Sequence, residues 1–139
     1  MNFKFYLLLI IILLSCTKNG ESTIKDEISM LRELLIGEWH WYKSYYPWTQ
    51  IESTPETTGI SKTLIFTVDD RVRTLINGQL ESEKLYELIY VNPNPFNPNQ
   101  DSLLMLKIEG SSSNLFTVSE SELIIDGTPY DGTRDYYKR

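Results

Sequence analysis

The spacing of apolar and polar positions changes once along this chain, near Gly37. Before it, Ile24, Ile28, Leu31 and Leu35 recur at three- to four-residue intervals with charged residues between them. That is the period of a helix with one apolar face. Gly37 is a natural stop, because glycine readily takes the left-handed backbone that ends many helices. The spacing predicts a short amphipathic helix over 24–36. After Gly37 the period becomes two, the period of strands. Trp39-His40-Trp41-Tyr42-Lys43-Ser44-Tyr45 is aromatic and alternates, and 62–68 alternates cleanly. Further strands are predicted over 71–76, 80–91, 103–108, 115–118, 122–126 and 133–138. Asn77-Gly78 is the strongest hairpin signal between them.

About eight short strands in sequence order, joined mostly by tight turns, predict an all-β fold. The expected architecture is a small up-and-down barrel, since closure removes exposed strand edges. Trp39, Trp41, Leu64, Phe66, Val68, Leu104, Leu106 and Ile108 alternate on their strands and predict the core. In an unfilled barrel the same positions would line a cavity, and eight strands lie near the limit between the two cases. Two connections are too long for turns. One is 46–61, with Pro47, Trp48 and Pro55; the other is 92–101, with three prolines. In a strict meander these are the first and fourth connections, so they fall at opposite ends. The 46–61 loop is the preferred mouth, because the helix before Gly37 should plug the other end.

The first residues form a separate signal. Lys4 precedes an apolar run over 5–14. Such a run is too short to span a bilayer as a helix, which needs roughly 20 residues. It reads as a cleaved signal peptide. Leu13-Leu14-Ser15-Cys16 resembles the lipobox of bacterial lipoproteins. The resemblance implies cleavage before Cys16, acylation of its thiol, and stable membrane attachment through more than one acyl chain. Thr17 follows where an Asp would signal inner-membrane retention, so the resemblance implies the outer membrane. The alternative is an ordinary cleaved signal with a free cysteine. The expected division is a signal peptide over 1–15, an acylated cysteine and flexible tether over 16–26, and a barrel domain with its leading helix over 27–139.

Charge and composition narrow the partners. The formal charge is −6, and loss of 1–15 removes only Lys4 among the charged residues. An acidic chain argues against nucleic acid and against direct attraction to anionic lipid. Cys16 is the sole cysteine, so no disulfide forms within the chain. The core must hold the fold alone, and nine Tyr, three Trp and five Phe are its natural material.

From Leu35 to Arg139 the chain resembles the lipocalin-like domains of small bacterial lipoproteins. The residues that carry this are Ile36-Gly37-Glu38-Trp39, the stretch over 58–70, Ser121-Glu122-Leu123-Ile124-Ile125-Asp126-Gly127 and the terminal run over 131–139. Gly37-Glu38-Trp39 is also similar to the Gly-x-Trp signature of lipocalins at large. The resemblance implies that Trp39 closes one barrel end under a basic side chain from the last strand, which is Arg139, Lys138 or Arg134. It further implies a membrane-anchored module for a small apolar or amphipathic ligand. The alternative is a filled barrel whose loops contact a protein or glycan. The candidate ligand-binding residues are Trp41, Tyr45, Trp48 and Phe66. The candidate closure residues are Gly37, Trp39 and Arg139, and the lipid anchor is Cys16.

Catalytic and metal chemistry find little footing. His40 is the sole histidine, and a Ser-His-Asp arrangement would have to use it. It alternates with Trp39 and Trp41, so it points away from a core they occupy. One histidine and no free thiol do not make a zinc site. Asp126, Asp131 and Asp135 lack the EF-hand spacing, and Asp-Gly at 126–127 and 131–132 reads as turns. No enzyme, metal or cofactor is expected.

Overall fold

The computed structural model describes residues 19–92 and 103–139. The apolar run over 5–14 expected as a signal peptide, Cys16 and nearly all of the 92–101 loop, with Phe96, lie outside the described residues. Helix α1 spans Asn19–Leu35. The strands are β1 (Gly37–Tyr46), β2 (Ile51–Ser53), β3 (Lys62–Phe66), β4 (Arg71–Ile76), β5 (Gln79–Val91), β6 (Leu103–Ile108), β7 (Leu115–Val118), β8 (Glu122–Asp126) and β9 (Arg134–Lys138). A four-residue helix α2, Pro55–Thr58, interrupts the first long connection. The chain divides into two units between Leu31 and Arg32. In the first, the described residues are helical; the second carries every strand.

Every pairing is antiparallel, in the order β6-β5-β4-β3-β1-β9-β8-β7, with β2 added on β1. The two ends of that order meet at one bridge. Leu106 N–H donates to Asn114 O at 2.9 Å, and Asn114 N–H donates to Leu106 O at 2.8 Å. The result is the expected all-β meander barrel, nearly closed, with a seam between β6 and β7. Local chemistry explains the turns. Asn77 and Gly78 both have positive φ, +51° and +77°, as a tight hairpin with the twist of its strands requires.

The two long connections leave from opposite ends, as the meander demands. Loop 46–61 joins β1 to β3 at the end bearing Tyr46 and Lys62. β5 ends, and β6 begins, at the Gly37 end, with Val91 opposite Leu103.

Three boundaries differ from the sequence reading. Helix α1 begins at Asn19, so 19–23, ahead of the helix expected over 24–36, is helical too. Polar residues without an apolar stripe gave no periodic signal there. β3 stops at Phe66, because Thr67 N–H bonds back to Arg71 O and starts the turn. Val68, expected in the core, is 80% exposed. The 46–61 connection is also structured, by β2 and by α2. Thr54 caps α2 through its side chain to Thr57 N–H, and Gly59 ends it at φ +69°.

The core fills one half of the barrel. Leu35, Trp39, Leu64, Phe66, Val72, Leu123 and Tyr137 are buried, as are Tyr86, Leu88, Met105 and Leu106. Phe66 meets Tyr86 edge to face at 5.0 Å, a favoured aromatic geometry. Most of these residues lie toward the end at which β1 begins. The opposite half is lined differently.

Candidate functional site

One end of the barrel is sealed by Trp39. Its indole is fully buried and donates from Nε1 to Leu35 O at 2.8 Å. The Arg139 guanidinium lies over the ring, 4.5 Å from its centroid. The same guanidinium donates from Nη2 to Ile36 O at 3.0 Å and to Leu34 O. It thus ties the last turn of α1 to the end of the chain. Gly37 sits beneath it at φ +131°, and a Cβ there would stand 3.7 Å from Arg139 Cζ. Of the three basic candidates for this role, Arg139 holds the position. Arg134 instead pairs with Asp126 at 2.7 Å, and Lys138 lies over the Tyr42 ring. Arg32, in the same helical turn, pairs with Asp70 at 3.1 Å.

The other end holds a cavity of about 370 Å³ on the inner faces of β3, β4, β5, β6, β8 and β9. Its apolar floor is Leu64, Ile108, Ile125 and Tyr137; its charged groups are Lys62, Lys84 and Asp135. Thr74, Ser82, Ser111, Ser112, Asn114 and Thr133 complete the wall. Register explains how charges come to face inward. Leu64 opposes Thr74, which opposes Ser82, so all three share one face. Val72, buried, opposes Lys84. A second hollow, of about 250 Å³, lies beside Trp41, Tyr46, Ser53, Thr58 and Ile60, and shares Lys62, Thr133 and Asp135 with the first. The Lys62–Asp135 pair therefore stands between the cavity and the 46–61 loop. A larger hollow of about 530 Å³ lies at Asp70, Tyr86, Glu87, Lys107 and Glu109. Its one lysine is already held by Glu87 at 2.8 Å.

Asp135 is the hub of the polar half. Its Oδ1 accepts from Ser44 Oγ at 2.6 Å and from Thr133 Oγ1 at 2.9 Å. Its Oδ2 takes Lys62 Nζ at 3.4 Å and the Tyr137 hydroxyl at 3.5 Å. Ser44 in turn accepts from Trp41 Nε1 at 2.9 Å. Burial, and then the negative charge of Asp135, push the Tyr137 phenol well above its ordinary pKa. In the sequence Asp135 is one of three scattered aspartates near the end of the chain. The signal that would have found it is alternation. Thr133, Asp135 and Tyr137 share a face, and a tyrosine that buries its ring brings its alternates inward.

The loop before β9 closes on itself through two glycines. Gly127 N–H donates to Thr133 O, and Gly132 N–H donates to Gly127 O, both at 2.9 Å. A Cβ on Gly132 would stand 2.7 Å from Gly127 O. Asp126 anchors the loop by accepting from Thr128 N–H at 3.0 Å and from Arg134 Nε at 2.9 Å. Burial works to raise the Asp126 carboxyl, but these bonds and the guanidinium outweigh it and hold its pKa below the usual value.

The four residues expected to bind a ligand do not converge. Phe66 is core, opposite Gly37 at the sealed end. Trp41 is half-buried and faces inward near Asp135. Tyr45 faces outward, opposite Arg134. Trp48, at 74% exposed, stands out from the loop. A β-bulge explains Tyr45. Trp41 opposes Tyr137, but Lys43, not Tyr42, opposes Tyr136. The extra residue resets the alternation, so Ser44 replaces Tyr45 on the inner face. Tyr42 turns outward and donates to Glu122 at 2.7 Å, and that bond, with burial and the carboxylate's charge, pushes its pKa up to about 12.

His40 faces outward as alternation requires, with Nδ1 3.2 Å from Thr63 Oγ1. No cluster of metal-ligating side chains occurs among the described residues, and no described helix is long and apolar enough to cross a membrane. No family model, curated protein or solved structure matches this chain.

Proposed function

We propose that this chain is a lipocalin-like binding module of the cell envelope, anchored through an acylated Cys16, that takes a small amphipathic ligand into the open half of its barrel. The observation that carries the reading is a barrel sealed at the Trp39 end and hollow at the other. A cavity of about 370 Å³ falls within the range of ligand sites, roughly 300–1,000 Å³. Its floor is apolar and its wall polar, which suits an amphipathic guest better than a purely apolar one. The ligand enters beside the 46–61 loop, past Trp41 and the Lys62–Asp135 pair. The envelope location rests on the lipobox resemblance at Cys16.

Native mass spectrometry of the protein purified without added ligand tests the binding reading; a stoichiometric small-molecule adduct is expected. Fractionation of cells expressing Cys16→Ala tests the anchor; the variant is expected in the soluble fraction, and one that pellets with membranes defeats it. A second reading, a barrel whose loops contact a protein or glycan, draws on the exposure of Trp48 (74%), Ile51 (56%) and Tyr46 (41%) on one connection. It takes over if the purified protein carries no adduct and binds no small ligand.

A further inference from the structure

We infer that the polar half of the barrel is an anion site, and that its ligand is a small hydroxylated compound carrying one carboxylate or phosphate, seated at Lys84. This rests on the binding-module reading and deepens it.

Lys84 faces inward because it opposes buried Val72 across β4 and β5. Its ammonium reaches the turn after β6, where a Cβ on Gly110 would stand 3.7 Å from Nζ. Among the described residues it has no carboxylate partner. Three acidic residues of this region are engaged elsewhere, Glu87 by Lys107 at 2.8 Å. Glu83 holds Arg71 at 3.1 Å and Arg73 at 2.6 Å on the outer face, and Glu109 accepts from Leu85 N–H at 3.3 Å. Lys62, the second inward lysine, has Asp135 as its carboxylate. That carboxylate also receives Ser44, Thr133 and Tyr137. The cavity therefore holds two ammonium groups against one shared carboxylate, inside a chain of net charge −6.

Lys84 is half-buried on the wall of the hollow, and an inward ammonium without a carboxylate partner is free to take an anion that enters it. Charge-assisted bonds from an ammonium to an oxyanion are about twice as strong as neutral ones. Thr74, Ser82, Ser111 and Ser112 around it offer hydroxyls to a polar body. Lysine binds oxyanions as a point charge, without the fixed fork that would select one geometry. Carboxylate and phosphate are thus both admitted, and the experiment separates them.

The test is titration calorimetry of the full chain in detergent with four probes: glucuronate, glucose 6-phosphate, glucose and benzyl alcohol. Saturable binding of glucuronate or glucose 6-phosphate is expected, at least tenfold tighter than glucose and at least tenfold weaker in Lys84→Met. Which anion binds tells carboxylate from phosphate. Lys84→Arg should retain most of the affinity. A salt series on the unaltered protein needs no variant: affinity must fall as sodium chloride rises. Salt-independent binding, or equal binding of glucose, overturns the anion site. So does unchanged affinity in a folded Lys84→Met. If benzyl alcohol binds and neither anion does, the anion site fails and the binding module stands. If none of the four binds, both fail.

Discussion

Arg139 covers Trp39: its guanidinium lies 4.5 Å above the indole while donating to the carbonyl of Ile36. Two distant parts of the chain, the start of β1 and the last residue, meet in that contact. The contact makes the sealed end a single unit of ring, cation and helix carbonyls. Trp39→Ala should cost about 3–5 kcal/mol, as large aromatic truncations in cores do. Arg139→Ala should cost less, about 1–2 kcal/mol, because Arg139 is itself exposed and its contact with the ring and its bonds to carbonyls are partly replaced by water. His40→Ala, one residue along on the outer face, should stay within about 0.5 kcal/mol of the unaltered protein. Urea denaturation of the three variants checks the ranking; a His40 effect equal to that of Trp39 would contradict the strand facing.

The loop before β9 makes a second, local prediction. Gly132→Ala places a Cβ against the Gly127 carbonyl, at 2.7 Å from its oxygen, so backbone must move. Overpacking of this kind costs about 1–3 kcal/mol. The bond from Gly127 N–H to Thr133 O should loosen, and the Gly127 amide should exchange faster with solvent. Gly59→Ala is the positional control: a Cβ there meets nothing within 4 Å, and its strain, from φ +69°, falls at the end of α2 and not in this loop. It should leave the Gly127 amide unaffected. Hydrogen exchange followed by NMR reads both.

The sequence carried the barrel because its signals were local and repeated. Alternation in 62–66 and 122–126, Asn77-Gly78 and the Gly37 stop each required no knowledge of distant residues. The Trp39 end was legible for a different reason: the resemblance at Gly37-Glu38-Trp39 implied a basic partner from the last strand, and of its three candidates the structure puts Arg139 over the ring. The polar half was not legible. Lys62, Lys84 and Asp135 face inward by register, while charge alone argues outward for each of them. Tyr45 was misplaced because a bulge between Trp41 and Lys43 has no composition of its own. It exists only as a mismatch between β1 and β9, two strands that lie almost a hundred positions apart.

Asp135 ties those misread residues together, and its removal should be felt through all of them. Asp135→Ala leaves Ser44, Thr133 and Tyr137 without their shared acceptor and Lys62 without its carboxylate. Ser44 is buried, at 6% exposed, so little water reaches its hydroxyl. A loss of about 1–3 kcal/mol is expected for stranded buried donors. Asp135→Asn should cost less, since its amide oxygen still accepts. Because Trp41 donates to Ser44, which donates to Asp135, both variants should also shift tryptophan emission. Denaturation followed by fluorescence gives the two readings together; an unchanged emission maximum in Asp135→Ala would show that the chain of bonds does not hold Trp41.

Asp126 sets an acid limit on the fold. Its carboxyl is held below the usual value: burial opposes this, but the bonds from Thr128 and Arg134 prevail. In the unfolded chain it returns to about 3.9. The folded state therefore binds fewer protons near that pH than the unfolded state does. The stability it contributes is present at neutral pH and is lost as pH falls below about 4, through the folded value. Asp126→Asn removes the titrating group while keeping an acceptor for Thr128. The variant should be less stable than the unaltered protein at pH 7, and the gap should narrow as the pH is lowered toward 3. Urea midpoints measured at pH 7, 5, 4 and 3 check this; a gap that stays constant across the series would mean that Asp126 does not supply the acid dependence.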